Sequence, residues 1–481
     1  MRSTRQPASE AAPVTQGEVG RRRVASEPSP TRRALGRVAL VLLVLLCGLT
    51  LLGGYLNKAR CAGPQFDQWG RSQPDYKERT ERDACYSDIQ HLWIGRDIDR
   101  HVFPYIGGRI SPDGELSGGA IEYPVLTGLL IWVGANRVHT DAGFLLVSAL
   151  LLAPFGLLTA WLLGRMSGWR ALLWAVGPPL VLYAFHNWDL PVVACAVAAG
   201  YVVHRGWGRR GADRPLVQRA TAASVLLAVG FCLKLYPAIF VPPLVLYVAT
   251  GGAGGRELPA GRRYDLVGAV RVAAAAVVTA VLINLPFALL GGQGWLASFD
   301  FQRTRRVDIT TNSIWFWGLR PYSDPSNLPF QQAIGVVSAV AVAGSFLLAC
   351  ALGWRRYRRE GSYPWIQVSA AMLCGFLLLY KVHSPQYTLW LVPMFVLLRI
   401  RLGWVIGYLL ADAAMGIGIF RWYWEIEFGR PSGIYDSFAA QAVVIGVWGR
   451  AALLAGLFFA FLAARSTVER DRPVPPGVVN A

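Results

Sequence analysis

The chain is poor in charge: Asp, Glu, Lys and Arg make up 16% of its 481 residues, whereas 54% are hydrophobic. A soluble chain of this length needs charge spread along its sequence. Here the charges fall in short clusters between long apolar runs, which excludes a soluble fold. Cysteine is scarce, and five of the seven, Cys47, Cys195, Cys232, Cys350 and Cys374, lie inside apolar runs without ligand spacing. They read as small core residues. No glycine-rich phosphate loop stands at a soluble strand-to-helix junction. No clear small-residue cleavage site follows the first apolar run, from about Ala39 to Tyr55, so that run reads as a retained span. Acidic residues are outnumbered, 29 against 47 basic, for a net charge of +18. The arginines sit mainly in the N-terminal tail and in short connections, where membrane topology accounts for them better than a nucleic acid does.

What is present is the pattern of an all-α polytopic membrane protein with about 12 transmembrane helices and a large first outer loop. After the first run the spans are expected at about 142–164, 171–185, 190–204, 220–235, 237–250, 271–290, 331–353, 364–380, 387–400, 403–420 and 443–464. Residues 1–33, rich in Arg, Ser, Pro and Thr, read as a disordered cytoplasmic tail, 34–465 as the membrane domain and 466–481 as a second cytoplasmic tail. Glu122 to Gly134 is short for a span and reads as an interfacial or re-entrant helix of the outer loop, 57–138. With that reading Arg165 and Arg170, Arg205 to Arg219, Arg256 to Arg271, Arg355 to Arg359, and Arg399 and Arg401 all fall inside, and both termini are cytoplasmic.

The same count puts the unusual polar motifs on the outer side: His186-Asn-Trp-Asp189, Lys234-Leu-Tyr-Pro237, residues 291–330, Lys381-Val-His-Ser-Pro-Gln-Tyr387 and residues 421–438. Charges at span ends are costly unless they line a cavity, so these motifs are candidates for function. Cys61 and Cys85, the two cysteines outside the apolar runs, are placed either to form a disulfide in an oxidising exterior or to remain free thiols. The stretch Ala84 to Trp93 carries the most chemistry per residue. Its carboxylate, Asp88, is flanked by Tyr86, Ser87, Gln90 and His91 beside a bilayer, where it is placed to hold and deprotonate a hydroxyl.

An early Asp in the first outer loop, a Glu-Tyr-Pro helix at 122–124, Asn-Trp-Asp at a span end, Lys-Leu-Tyr-Pro and His-Ser-Pro-Gln-Tyr, in that order and on one side, resemble the C-type glycosyltransferases. Within these the chain looks most like glycosyltransferase family 87, whose actinobacterial members include polyprenyl-phosphate-mannose-dependent mannosyltransferases. The resemblance spans roughly residues 38–465. It implies a hexosyltransferase of the plasma membrane that takes a sugar, mannose being the expectation, from a polyprenyl-phosphate donor at the outer face. The sugar passes with inversion to an envelope glycolipid or glycan, and the matching acidic residue, Asp88, is the base.

Each remaining position has two readings. Tyr86, Glu122, Tyr123, Asn187, Asp189 and Gln386 are candidates for acceptor or sugar binding, but Glu122 and Tyr123 also suit an interfacial anchor, and Asn187 and Asp189 suit helix caps. Lys381, His383, Arg303, Arg306 and Lys234 are candidates for the donor phosphate, with Arg305 in the same loop, and each also suits a snorkelling side chain. One fixed cation at about 4 Å is worth roughly 4 kcal/mol at an effective dielectric near 20, so no cofactor is required and no metal is expected. Asp97-Ile-Asp99 spells a metal-associated D-x-D, though Arg96 and Arg100 flank it. A multi-span transporter or lipid flippase, or a non-catalytic envelope scaffold, are the rival readings. The first lacks paired Gly/Pro-interrupted segments in matching halves.

Overall fold

A computed structural model of the chain describes residues 30–112, 114–205 and 214–468. The expected tails, up to residue 29 and from 469, and the arginines at 209 and 210 lie outside these residues. The chain divides into two units, residues 1–39 and 40–481.

The described residues are almost entirely helical. In chain order the helices are α1 (Pro30–Ala59), α2 (Tyr76–Arg82), α3 (Asp88–Gly95), α4 (Val125–Ala135), α5 (Asp141–Ser167), α6 (Leu172–Ala175), α7 (Pro178–Tyr183), α8 (Leu190–Arg205) and α9 (Leu216–Leu233). They continue with α10 (Val241–Ala249), α11 (Leu266–Leu290), α12 (Gly292–Thr304), α13 (Ile314–Gly318), α14 (Leu328–Glu360), α15 (Trp365–Leu379), α16 (Thr388–Leu397), α17 (Leu402–Glu427) and α18 (Phe438–Ala463). Three antiparallel strand pairs of two residues each are the only sheet among the described residues. This is a multi-pass membrane protein, and its most apolar helices show it plainly. α11 and α14 expose Leu289 (75%) and Leu347 (73%) on their outer faces, an arrangement stable in hydrocarbon and costly in water.

By length and composition, 8 helical stretches among the described residues can cross a membrane, fewer than the twelve expected spans. Four of the expected spans fall short of that length: α8 and α15, with 16 and 15 residues, and two shorter segments. The expected span at about 171–185 is split into α6 and α7 at Gly177-Pro178-Pro179, because proline lacks the N–H that would continue the ladder. The expected span at about 387–400 shrinks to α16, whose 10 residues rise only about 15 Å, half the hydrocarbon thickness. α4, with 11 residues, is likewise too short to cross, in line with its reading as a helix of the loop.

The loop between α1 and α4 is folded around its own polar core. Cys61 and Cys85 are joined by a disulfide across a separation of 24 residues, with Cα atoms 6.3 Å apart. Asp141, fully buried at the start of α5, accepts hydrogen bonds from the Ser72 hydroxyl (2.6 Å), the Ser72 amide (3.0 Å) and Arg71 (3.2 Å). The Arg71 guanidinium also donates to the carbonyls of Gln90 (2.6 Å) and His91 (3.0 Å), which pins the middle of α3. On its other side the loop meets α12 at backbone contact. A Cβ at Gly294 would sit 1.9 Å from the Tyr105 carbonyl oxygen, so only glycine fits.

Candidate functional site

Three breaks in helical structure converge at one end of the bundle. α3 begins against the segment after α7: the Asp88 amide donates to the His186 carbonyl (2.8 Å) and the Ser87 hydroxyl to the Phe185 carbonyl (2.7 Å). α9 ends at Leu233, whose carbonyl accepts from the Thr127 hydroxyl of α4 (2.6 Å). The third break lies between α15 and α16, where Ser384-Pro385 forbids a continuous helix. Together they bring Tyr86, Asp88, Glu122, Tyr123, Asn187, Lys234 and Gln386 onto the wall of one cavity of about 1130 Å³.

Within it, a chain of hydrogen bonds fixes Asp88. The Asn187 side-chain amide donates to the Asp88 carboxylate (2.6 Å) and to the Tyr123 hydroxyl (2.7 Å), while its oxygen accepts from Lys234 (3.1 Å). Lys234 in turn pairs with Asp189 (2.7 Å), which also accepts from the Trp390 indole (2.7 Å). Asn187 therefore has a defined orientation, because Lys234 can only donate and the carboxylate can only accept. Burial pushes the Asp88 carboxyl above the usual carboxylate range, and hydrogen bonds from Asn187 and Tyr86 and the charges of His91 and Lys234 oppose that shift. A carboxylate so placed is a stronger base than one in water.

Asp189 itself lies beneath Lys234, fully buried and off the cavity wall. It stands directly before α8, its backbone carbonyl accepting from the Val193 amide (3.1 Å), while its carboxylate pairs with Lys234. Glu122 reaches the wall but is held by Arg96 through two nitrogens (2.6 and 3.3 Å). Gln386 presents a buried side-chain oxygen without a partner.

The expected cations divide differently. Arg303 is exposed and paired with Asp300 (3.1 Å), and exposed Arg306 donates to the Pro325 carbonyl (2.9 Å); neither lines the cavity. Lys381 turns away from the cavity and donates to the carbonyls of Arg303 (3.0 Å) and Arg305 (2.6 Å), where it stabilises the negative end of α12. His383 is buried behind the wall, its amide on the Thr311 carbonyl (2.6 Å) and its ring on the Leu377 carbonyl (3.3 Å). The cation that does face the cavity from this loop is half-buried Arg305, which makes no carboxylate pair among the described residues. Side-chain direction at a helix end is set by tertiary contacts, which is why three adjacent arginines could not be told apart from sequence. Asp97 and Asp99 also lie off the wall: Asp97 accepts from the Gly118 amide (2.9 Å) and pairs with Arg100 (3.5 Å).

Sequence reading singles out no residue of a further arm of the cavity, made by Lys77 and Glu81 of α2 and by Tyr423, Ile426 and Glu427 at the end of α17. Residues 421–438 are expected on the outer side, but nothing in the spacing of these residues marks them. Elsewhere the wall is apolar. Ala339, Val342, Ala343 and Phe346 of α14, with Phe376 of α15 and Leu235 and Ile239, form one flank. Arg450 is buried within the helices, on the Met415 sulfur (2.7 Å) and the Asn312 carbonyl (3.3 Å).

Residues 214–425 match the family model described as mannosyltransferase (PIG-M). The matched part includes Lys234, Arg305 and Gln386 and omits Asp88, and it covers less than half of the chain. It supports a membrane glycosyltransferase. No curated protein matches the chain. Among solved structures, the chain is similar to the oligosaccharyltransferase of Archaeoglobus fulgidus in its apo form, at 13% identity and a TM-score of 0.38. That alignment takes in 90% of this chain and 57% of the oligosaccharyltransferase.

Proposed function

We propose that this membrane glycosyltransferase is inverting, and that it moves a hexose, mannose by resemblance, from a polyprenyl-phosphate donor to an envelope glycolipid or glycan at the outer face of the plasma membrane. The observation that carries this reading is the buried Asp88 carboxylate, held by Asn187 and open to a cavity of about 1130 Å³ that Arg305 faces without a carboxylate partner. The base takes the proton of the acceptor hydroxyl, and the resulting oxygen attacks the anomeric carbon from the face opposite the phosphate. The bond from that carbon to the phosphate oxygen breaks, and the lipid phosphate leaves with the electron pair. Arg305 and the third proton of Lys234 are placed to take up the charge on the leaving phosphate. The apolar flank from α14 and α15 suits the hydrocarbon of a lipid-borne donor, and the family match over residues 214–425 supports sugar transfer.

The test is transfer of radiolabelled mannose from polyprenyl-phosphate-mannose in membranes. Asp88→Asn keeps size and polarity and should cut transfer by about 10²- to 10⁴-fold at normal expression, the usual contribution of a positioned general base. Full activity in that variant would remove Asp88 as the base. Absence of transfer by the wild-type protein from any polyprenyl-phosphate sugar would overturn the reading.

A further inference from the structure

The arm formed by α2 and the end of α17 brings Lys77, Glu81 and Glu427 to the cavity that Arg305 also faces. Glu81 lines the cavity and is more than nine-tenths buried, yet its Oε2 has no hydrogen-bond partner. An unpaired buried carboxylate oxygen costs about 1–3 kcal/mol or more unless a ligand satisfies it. Glu427 stands at the rim of the same arm, paired with Lys77 at 2.5 Å, both half or more exposed to solvent or close to it. Aromatic faces continue inward from this rim: Tyr423, then Phe420 stacked on Tyr86 with ring centroids 5.0 Å apart, and then Asp88. Burial and the neighbouring Glu427 charge push the Glu81 carboxyl up to about 7, against the pull of Lys77. At neutral pH Glu81 therefore both donates and accepts hydrogen bonds, as a sugar hydroxyl does.

We infer that this arm is the acceptor subsite and that it takes a hydroxyl-rich glycan: Glu81 and Glu427 bind its hydroxyls and the Tyr423 face carries its ring. The inference rests on the transferase reading. Lys77, the cation of the arm, is paired with Glu427, whereas Arg305 makes no carboxylate pair among the described residues, so phosphate is drawn to Arg305 and hydroxyls to Glu81.

The experiment measures binding to purified protein in lipid nanodiscs, with three probes: octyl α-mannoside, its 6-phosphate, and polyprenyl phosphate. Mannose transfer is assayed on the same preparations. Glu81→Leu should weaken octyl mannoside by about tenfold or more, the scale expected when a buried hydrogen-bonding site is lost, and leave polyprenyl phosphate within twofold. Arg305→Ala should do the reverse. The double variant Glu81→Gln/Glu427→Gln should gain affinity for the 6-phosphate by about tenfold, because Lys77 loses the carboxylate that neutralises it. This gain cannot come from misfolding. Transfer intact in the wild type, with mannoside affinity unchanged in every Glu81 and Glu427 variant and no gain for the 6-phosphate, overturns the subsite. Mannoside binding that depends on Glu81, in a protein that transfers no sugar, overturns the transferase reading alone.

Discussion

Replacing Asn187 by Ala isolates the control of Asp88 without touching the base. The substitution removes the 2.6 Å hydrogen bond to the carboxylate and the acceptor that orients Lys234. A hydrogen bond to a charged group is worth about 1.5–3 kcal/mol, and one pKa unit is 1.36 kcal/mol, so losing it raises the Asp88 carboxyl by about 1–2 units. The sign follows from the chemistry. The ionised form is the base, burial has already moved its titration upward, and Asn187 opposes that movement. Activity therefore falls as pH drops through the raised value, and the variant loses it first on the acid side. The assay is the pH profile of kcat/KM for mannose transfer. The acid limb should move up by about 1–2 pH units, with most of the rate recovered on the alkaline side. An acid limb that stays in place while activity drops equally at every pH would refute the argument, since Asn187 would then act on substrate and not on the carboxylate.

The same cavity makes three further demands. Arg305→Ala should raise KM for the lipid donor by about 10- to 100-fold, a part of the roughly 4 kcal/mol of a close charge pair, whereas Arg303→Ala and Arg306→Ala, whose side chains point elsewhere, should stay within about twofold. Equal effects of all three on donor kinetics would reject the assignment. Converting Cys61 and Cys85 to Ser should cost about 3 kcal/mol of loop stability, as expected for a closed loop of 24 residues, read as a lower thermal midpoint and faster proteolysis of the loop between α1 and α4. Gly294→Ala should destabilise strongly, because its Cβ would lie 1.9 Å from a backbone oxygen that cannot turn aside; a thermal midpoint equal to wild type would show that α12 does not press on the loop.

Much of the site was legible because membrane spans sort polar residues by end. Asp88, Asn187, Lys234 and Gln386 are far apart in sequence, yet each stands at the same end of an apolar run, so a common cavity follows from topology alone. What topology cannot give is side-chain direction in irregular backbone. Lys381 and His383 stand in a motif of the right kind and in the right place, but their polar atoms serve the carbonyls of α12 and α15. Asp189 supports Lys234 from behind the wall. Glu81 was hidden for a different reason: a short helix reading Tyr-Lys-Glu-Arg-Thr-Glu-Arg has no apolar stripe, and its burial depends wholly on α17 coming over it. Eight of the twelve expected runs form helices of crossing length among the described residues, because an apolar run carries no record of where its helix breaks.

The break after α9 gives that helix a phase as well as an end. Lys234 caps it, the extended residue directly after Leu233, with its amide still on the Gly230 carbonyl (2.8 Å), so the place from which its side chain leaves is counted off by the turns behind it. One residue inserted anywhere between Leu216 and Lys234 would swing that group by about 100° and carry it out of reach of Asn187 and Asp189. Chain length in this helix is therefore as strict as the identity of the lysine. A scan of single-residue insertions, which leaves every side chain unaltered, would find the same site that point substitutions find, and would locate it by arithmetic.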